Sequence, residues 1–200
     1  MSQPPRLILA TRNAHKTGEI RSMLEGRFEV GDVTGLADFP QIEETGTTFL
    51  ENARLKALGI SRWMPDAWVL SDDSGLEVDA LGGAPGVWSS SFGGEEGNHA
   101  RNNARLLTEL EGVAARRARF RCTMVLAKDG IEQAHFHGTV EGRVITAARG
   151  TGGFGYDPLF IPEGYEETFA ELGEQVKNSL SHRARALAKV IRFLELQLGK

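Results

Sequence analysis

Short apolar runs and helically spaced apolar positions take turns along the chain. Arg6 to Ala10 (RLILA) is a compact apolar run and predicts a buried strand. Thr11-Arg12-Asn13 follows as a turn, and Lys16 to Leu24 sets Ile20, Met23 and Leu24 at helical spacing. Strand, loop and helix in this order open an α/β fold. Phe28 to Val33 predicts a second strand, and Gly35 to Gly46 a loop ending in Glu43-Glu44-Thr45-Gly46. Thr48 and Glu51 have the spacing of a capping box. The helix they start carries Phe49, Ala53 and Leu55 or Lys56, runs to about Trp63 and is stopped by Pro65. Trp68 to Ser71 predicts the next strand, closed by Asp72-Asp73-Ser74-Gly75.

The second half is patterned differently. Gly82 to Gly97 is rich in glycine and predicts a long irregular loop, a place where function concentrates. Asn98 to Leu110 predicts a helix, with Ala104, Leu106, Leu107 and Leu110 along it. Arg119 to Lys128 and Glu132 to Thr146 predict two long strands with a hairpin at Lys128-Asp129-Gly130. Thr151 to Pro158 is a glycine-rich loop around Phe154. Ser181 to Leu198 predicts a closing helix with Leu187, Ile191, Leu194 and Leu198 on one face and Ser181 as its N-cap.

Composition narrows the function classes. The net charge of −4 argues against a nucleic-acid polymer as partner, since that needs a basic face. It leaves room for a small anion in a locally basic pocket. Two hundred residues with 40% apolar positions suit one domain over residues 1–200, with two lobes at most. No segment approaches the roughly 18 apolar residues of a membrane span, and the first residues show no cleavable signal pattern. The expectation is a cytoplasmic protein with no membrane partner. The single cysteine, Cys122, lies in an alternating strand-like stretch and is read as a core residue.

Several residues could carry chemistry. Glu43, Glu44, Asp72 and Asp73 are hard oxygen donors at the expected ends of regular elements. Mg²⁺ is usually held by one or two carboxylates together with waters and substrate phosphates, so a carboxylate pair is half of such a site. Taken alone, the same residues suit a capped, solvated turn rather better, since Asp, Ser and Gly favour turns anyway. Thr11-x-Asn13-x-x-Lys16, at a strand-to-helix junction, could hold an anion, or Asn13 could simply cap the turn. Lys56 and Lys177 read locally as surface lysines. Phe154, between Gly153 and Gly155, could offer its ring to a base or plug the core. His182 and Arg183 oppose the dipole of the helix they open, which favours a functional reason for them. Neither Ser74 nor Cys122 has a recognisable base partner for nucleophilic catalysis.

Five of these stretches occur in one order: ATRNAHK, EETGTTFLENARLKA, SDDSGLEVDALGGAPG, GTGGFGYDPLF and SHRARAL. In this the chain resembles the inosine triphosphate pyrophosphatase family, from about Leu7 to the last helix. The resemblance implies an elongated, two-lobed α/β fold with a long mixed β-sheet flanked by helices and a central cleft, usually as a homodimer. It implies hydrolysis of ITP, dITP and XTP to the monophosphate and pyrophosphate with Mg²⁺. By motif, Thr11, Arg12, Asn13, Ala14, His15 and Lys16 would hold the triphosphate. Glu44 and Asp73, with Asp72 beside them, would bind metal. Asp73 would be the general base. Lys16 and Lys56 would stabilise the leaving pyrophosphate, and Ser74 would approach the phosphates.

Phe154, Gly155, Tyr156, Asp157, Lys177, His182 and Arg183 would form the base pocket and its rim. There a cationic donor facing the 6-oxo group and an acceptor facing N1–H would select hypoxanthine and xanthine over adenine. One departure stands out. The family often carries Tyr-Ser-Ala-Arg-Tyr between Gly86 and Gly94, where this chain has Trp88-Ser89-Ser90-Ser91-Phe92 and no arginine. Two other readings are a Maf-type pyrophosphatase on modified pyrimidine nucleotides and a nucleotide-binding regulator without turnover. The Phe154 and His182-Arg183 motifs oppose the first, and the intact carboxylate set opposes the second.

Overall fold

The structure, a computed structural model, describes residues 5–24, 26–34 and 42–199. Its strands are β1 (Arg6–Leu9), β2 (Glu29–Asp32), β3 (Trp68–Val78), β4 (Arg117–Lys128), β5 (Ile131–Val144) and β6 (Phe160–Pro162). Its helices are α1 (Ala14–Leu24), α2 (Phe49–Trp63), α3 (His99–Glu109), α4 (Phe169–Leu180) and α5 (His182–Gln197). The strands form one mixed sheet in the order β2-β1-β3-β4-β5-β6. β1 pairs in parallel with β2 and β3, while β5 and β6 are antiparallel. The α/β class and the mixed sheet flanked by helices are as the sequence predicts. Of the loop expected at Gly35–Gly46, residues 35–41 lie outside the described residues.

The chain forms two compact units. The first takes in the described parts of Met1–Asp73, Cys122–His137 and Ala186–Lys200. One of its cores joins Leu7, Leu9 and Leu70 to Ile20 and Leu24 of α1 and to Leu187, Val190 and Leu194 of α5. Ile8, Val69 and Ile60 of α2 form another, and Ala53 and Ala57 of α2 pack with Val125 and Ala127. Successive strand residues point to opposite faces, so Leu70 meets α1 and Val69 meets α2. The topology has the same consequence. From β1 the chain crosses to β2 on one side, then returns past β1 to β3, and right-handed crossovers in opposite directions put their helices on opposite faces.

The second unit takes in Ser74–Arg121 and Gly138–Arg185. Its core gathers Leu76, Val78, Leu106, Leu110, Phe120, Val140, Tyr156, Phe160 and Phe169. Phe120, Phe160 and Phe169 stack and edge against one another, with ring centroids 4.8–6.1 Å apart.

Local signals account for most boundaries. Thr48 and Glu51 do form a capping box at α2. Asn13 Oδ1 accepts the Lys16 N–H at 3.1 Å and so caps α1, which starts two residues before the expected Lys16. The β4–β5 hairpin turns on Asp129 and Gly130, both at positive φ (54° and 75°), the conformation that a two-residue hairpin requires. Ser181 ends α4, and its Oγ accepts the Ala184 N–H at 3.2 Å, which makes it the expected N-cap of α5.

Two differences matter for the site. The strand expected to stop at Ser71 continues through Asp72 and Asp73 to Val78. The adjacent aspartates do not break it, because the pleat sends their side chains to different faces, where different lysines meet them. β6 and α4 were not expected from apolar spacing. α4 nevertheless opens on a second capping box, Thr168 with Glu171.

Candidate active site

In the first unit, two helices deliver one lysine each to β3. The start of α1, capped by Asn13, projects Lys16, whose Nζ lies 2.6 Å from Asp72 Oδ1. The other oxygen of Asp72 accepts from Cys122 Sγ on β4 at 2.9 Å. On the opposite face α2 projects Lys56. Its Nζ lies 3.1 Å from Asp73 Oδ1 and 2.7 Å from Glu44 Oε2. Asp72 and Asp73 are both buried. Ser71 precedes them, and its Oγ donates to the Ala53 carbonyl at 2.7 Å, which holds α2 tightly against β3. The charged cluster thus lies where β1 and β3 diverge to opposite faces, the switch point at which α/β sheets collect ligands.

The electrostatics follow from burial and pairing. Burial pushes the Asp73 carboxyl above the usual aspartate value. Lys56 and Lys16 pull it back down, Glu44 pushes it further up, and the net direction is upward. For Lys56, burial alone would favour the neutral amine, but Asp73, Glu44 and Asp72 outweigh it and hold the ammonium above its usual value. Asp73 Oδ2 is buried and has no hydrogen-bond partner among the described residues. A half-satisfied buried carboxylate is costly, so this oxygen is arranged for a proton or a cation.

In the second unit, a different set surrounds the glycine-rich loop. Asp157 Oδ2 accepts the Phe154 N–H at 2.8 Å and lies 2.5 Å from Lys177 Nζ. Lys177 is buried, not the surface lysine its local sequence suggests. Its ammonium sits over the Phe154 ring, 4.6 Å from the centroid, where the ring face favours a cation. Arg183 lies 5.9 Å from the same centroid and donates from Nη2 to Ser74 Oγ at 2.9 Å. His182 stacks on Phe120, with centroids 4.9 Å apart. Tyr156 donates its hydroxyl to the Ser89 carbonyl at 2.9 Å. Burial raises the Tyr156 phenol well above its usual range despite the pull of Arg105, so it remains a donor. Gly153 is required: at φ +70° a Cβ there would meet Asp157 Oδ2 at 2.1 Å.

The residues singled out from sequence therefore fall into two groups. Glu44, Lys56 and Asp73 come together on one face of β3. Lys16 and Asp72 meet on the other, following Thr11, Arg12, Asn13, Ala14 and His15 in the capped turn. Phe154, Gly155, Tyr156, Asp157, Lys177, His182, Arg183 and Ser74 belong to the second unit. Among the described residues, no three His, Cys, Asp or Glu side chains are grouped to hold a metal ion by themselves. Local reading missed the ties that hold these groups: Cys122 on Asp72, Phe120 under His182, and Ser89 under Tyr156. All three depend on strand register or loop return, which have no local signal. Where the Trp88–Phe92 run lacks an arginine, Arg105 of α3 reaches over, 4.4 Å from the Phe92 ring centroid and 2.6 Å from the Phe92 carbonyl.

The Ham1 family model matches residues 7–193. A dITP/XTP pyrophosphatase of Bacillus licheniformis is 46% identical over 192 residues, covering 94% of this chain and 97% of that protein. A dITP/XTP pyrophosphatase of Exiguobacterium sibiricum is 48% identical over 200 residues, covering 98% and 100%. Among solved structures, the Staphylococcus aureus Ham1 protein superposes with a TM-score of 0.86 at 34% identity, over 96% of this chain and 99% of that one. A HAM1 protein from Coxiella burnetii gives 0.85 at 36% identity, over 95% and 98%. With its fold, motif order and nearly full-length match in agreement, the chain belongs to the Ham1 family.

Proposed function

We propose that this chain is a nucleoside triphosphate pyrophosphatase. It hydrolyses ITP, dITP and XTP to the monophosphate and pyrophosphate, and so clears non-standard purines from the nucleotide pool. The relatives named dITP/XTP pyrophosphatase match it over nearly its whole length. The observation that carries the chemistry is Asp73: one carboxylate oxygen is held by Lys56, and the other is buried without a hydrogen-bond partner among the described residues.

Mg²⁺ fits this donor set. Glu44 and Asp73 supply hard oxygens, the orphaned Asp73 Oδ2 wants a positive charge, and two protein carboxylates suffice when phosphates and waters complete the shell. Bound there, the ion would neutralise phosphate charge and acidify water. The residues of the chain do the rest. Thr11 to Lys16, with backbone N–H groups at the start of α1, bind the triphosphate. A water attacks the α-phosphorus and gives its proton to Asp73. The bond from the α-phosphorus to the bridging oxygen breaks, and pyrophosphate leaves with its charge offset by Lys16 and Lys56.

Phe154 and Lys177 take the base. Arg183 or His182 faces the 6-oxo group, and Asp157 serves the N1–H edge, a pattern that adenine reverses. The resemblance also supports a homodimer working in the cytoplasm, where the nucleotide pool is. No helix among the described residues is long and apolar enough to cross a membrane.

The test is incubation with ITP, XTP, ATP, dTTP and UTP in Mg²⁺, with products identified. Pyrophosphate from ITP and XTP well ahead of ATP is expected. Orthophosphate alone, or equal rates on ATP and ITP, would reject the reading. Preference for dTTP or UTP would point to the Maf type, and tight ITP binding without pyrophosphate release to a silent regulator.

A further inference from the structure

Three asparagines open α3, and two have evident structural tasks. Asn98 caps the helix through the Arg101 N–H. Asn102 ties the preceding loop, accepting the Gly93 N–H at 2.6 Å and donating to the Ser90 carbonyl at 2.9 Å. Asn103 does neither. Its Nδ2 donates to the Gly155 carbonyl at 3.1 Å, and its Oδ1 is buried with no hydrogen-bond partner among the described residues. His99 lies one helical turn before it, on the same face of α3. The His99 ring stands 6.1 Å from that of Phe154, tilted by 47°. This face of α3 therefore addresses the Phe154–Gly155 segment.

That segment has little stiffness of its own. Gly153 and Gly155 flank Phe154, both at positive φ (70° and 63°). Asp157 accepts the N–H of Phe154, the Asp157 N–H closes a turn on the Phe154 carbonyl at 3.3 Å, and Asn103 donates to the carbonyl of Gly155. Asn103 is the side chain that holds the Gly155 carbonyl, and without it the turn alone sets the peptide after Phe154, so the ring's pose loosens. A buried, unpaired amide oxygen is unfavourable, so an apolar side chain at 103 would suit the packing better if the contact to Gly155 had no use.

We propose that Asn103 is a specificity-determining positioning residue. It fixes the Phe154–Gly155 backbone so that the aromatic ring meets a purine in one pose. The proposal rests on the reading of the Phe154 loop as the base-binding element.

The experiment compares wild type with Asn103→Asp, which keeps the shape but turns an acceptor toward the Gly155 carbonyl, and with Asn103→Ala. For each, kcat and KM are measured with ITP and ATP, alongside the affinity for IMP and inhibition by inorganic tripolyphosphate. Thermal midpoints select the variant that folds. The expected result is an IMP affinity about tenfold weaker and a ratio of kcat/KM for ITP over ATP about tenfold lower. The inhibition constant of tripolyphosphate, which has no base, should not change. A merely structural role would weaken IMP and tripolyphosphate alike and leave the ratio intact, and that outcome overturns the proposal. So does a variant indistinguishable from wild type. Failure of the underlying reading is separately visible, as a wild type that releases no pyrophosphate from ITP.

Discussion

Asp72 and Asp73 are neighbours in β3, yet each is paired with a lysine from a different helix. Lys16 of α1 lies 2.6 Å from Asp72, and Lys56 of α2 lies 3.1 Å from Asp73. The pleat separates two charges that the sequence sets side by side. It also divides their work. Asp72 has partners on both oxygens, Lys16 and Cys122, and reads as the brace of the turn that opens α1. Asp73 has one buried oxygen with no hydrogen-bond partner among the described residues, the oxygen that the proposed mechanism uses. Asp73→Asn is therefore expected to lower kcat for ITP by about 10²–10⁴-fold. Asp72→Asn should instead cost about 3 kcal/mol of stability by stripping the partner from a largely buried lysine, with a smaller loss of kcat. Pyrophosphate release and urea unfolding of both variants check this. Near-normal turnover of Asp73→Asn would reject its role as base.

The raised Asp73 carboxyl has a consequence for the free protein. Burial, the largest influence, moves it above the ordinary 3.8. The folded state then holds a proton more tightly than the unfolded chain does. The stabilisation this brings is complete below the unfolded value and is lost as pH rises through the folded one. Without metal or nucleotide, wild type should lose stability relative to Asp73→Asn as pH climbs from below 3.8 toward neutrality. Denaturant unfolding of both proteins across that range measures the difference. A constant difference would show that the carboxyl is not perturbed in this direction. Lys56 does not confuse the result, because its contribution is lost only above 10.5.

How much of this was legible in the sequence differs between the two groups of residues. The capping box of Thr48 and Glu51, the Asp129-Gly130 turn and the N-cap Ser181 are local in cause, and sequence locates them. Thr168 and Glu171 have the same capping-box spelling, so α4 was open to detection, but Gly173 at φ 79° interrupts its helical pattern. The end of β3 was misplaced because two acidic residues in a row suggest a turn. Only the lysines arriving from α1 and α2 make them tolerable inside a strand. Lys177 shows the same limit. Locally it is a polar residue on a helix, and its burial is explained only by Asp157 and Phe154, which come from a distant loop. The motif order singled these residues out, but which face of β3 each carboxylate takes needed the sheet.

Gly153 offers a test of the loop that does not alter a charged group. A methyl group there would meet Asp157 Oδ2, and the left-handed φ is unfavourable for any L side chain. Gly153→Ala should cost about 1–2 kcal/mol of stability from the backbone alone. By displacing Asp157 it should also loosen both the Phe154 N–H and Lys177. The KM for ITP should rise about tenfold with kcat less affected. Steady-state kinetics and a thermal unfolding curve measure the two effects. An unchanged KM would mean that the Asp157 contacts do not organise the base site.

Phe154 itself separates packing from recognition. Its N–H, not its ring, is what Asp157 accepts, so Phe154→Ala keeps the backbone hydrogen bond and the Asp157–Lys177 pair. What is lost is the aromatic face beneath Lys177 and, in the proposed role, the surface on which the base lies. Stacking of a base on an aromatic ring contributes roughly 1–3 kcal/mol. The KM for ITP should then rise by about one to two orders of magnitude, while the cluster around Asp73 keeps its chemistry at saturating substrate. Because the ring is only partly buried, its loss should cost less stability than a core phenylalanine such as Phe160. Kinetics with ITP, read beside the thermal midpoints of Phe154→Ala and Phe160→Ala, decide the matter. A large drop in midpoint with an unchanged KM would mark Phe154 as a packing residue and remove it from the base site.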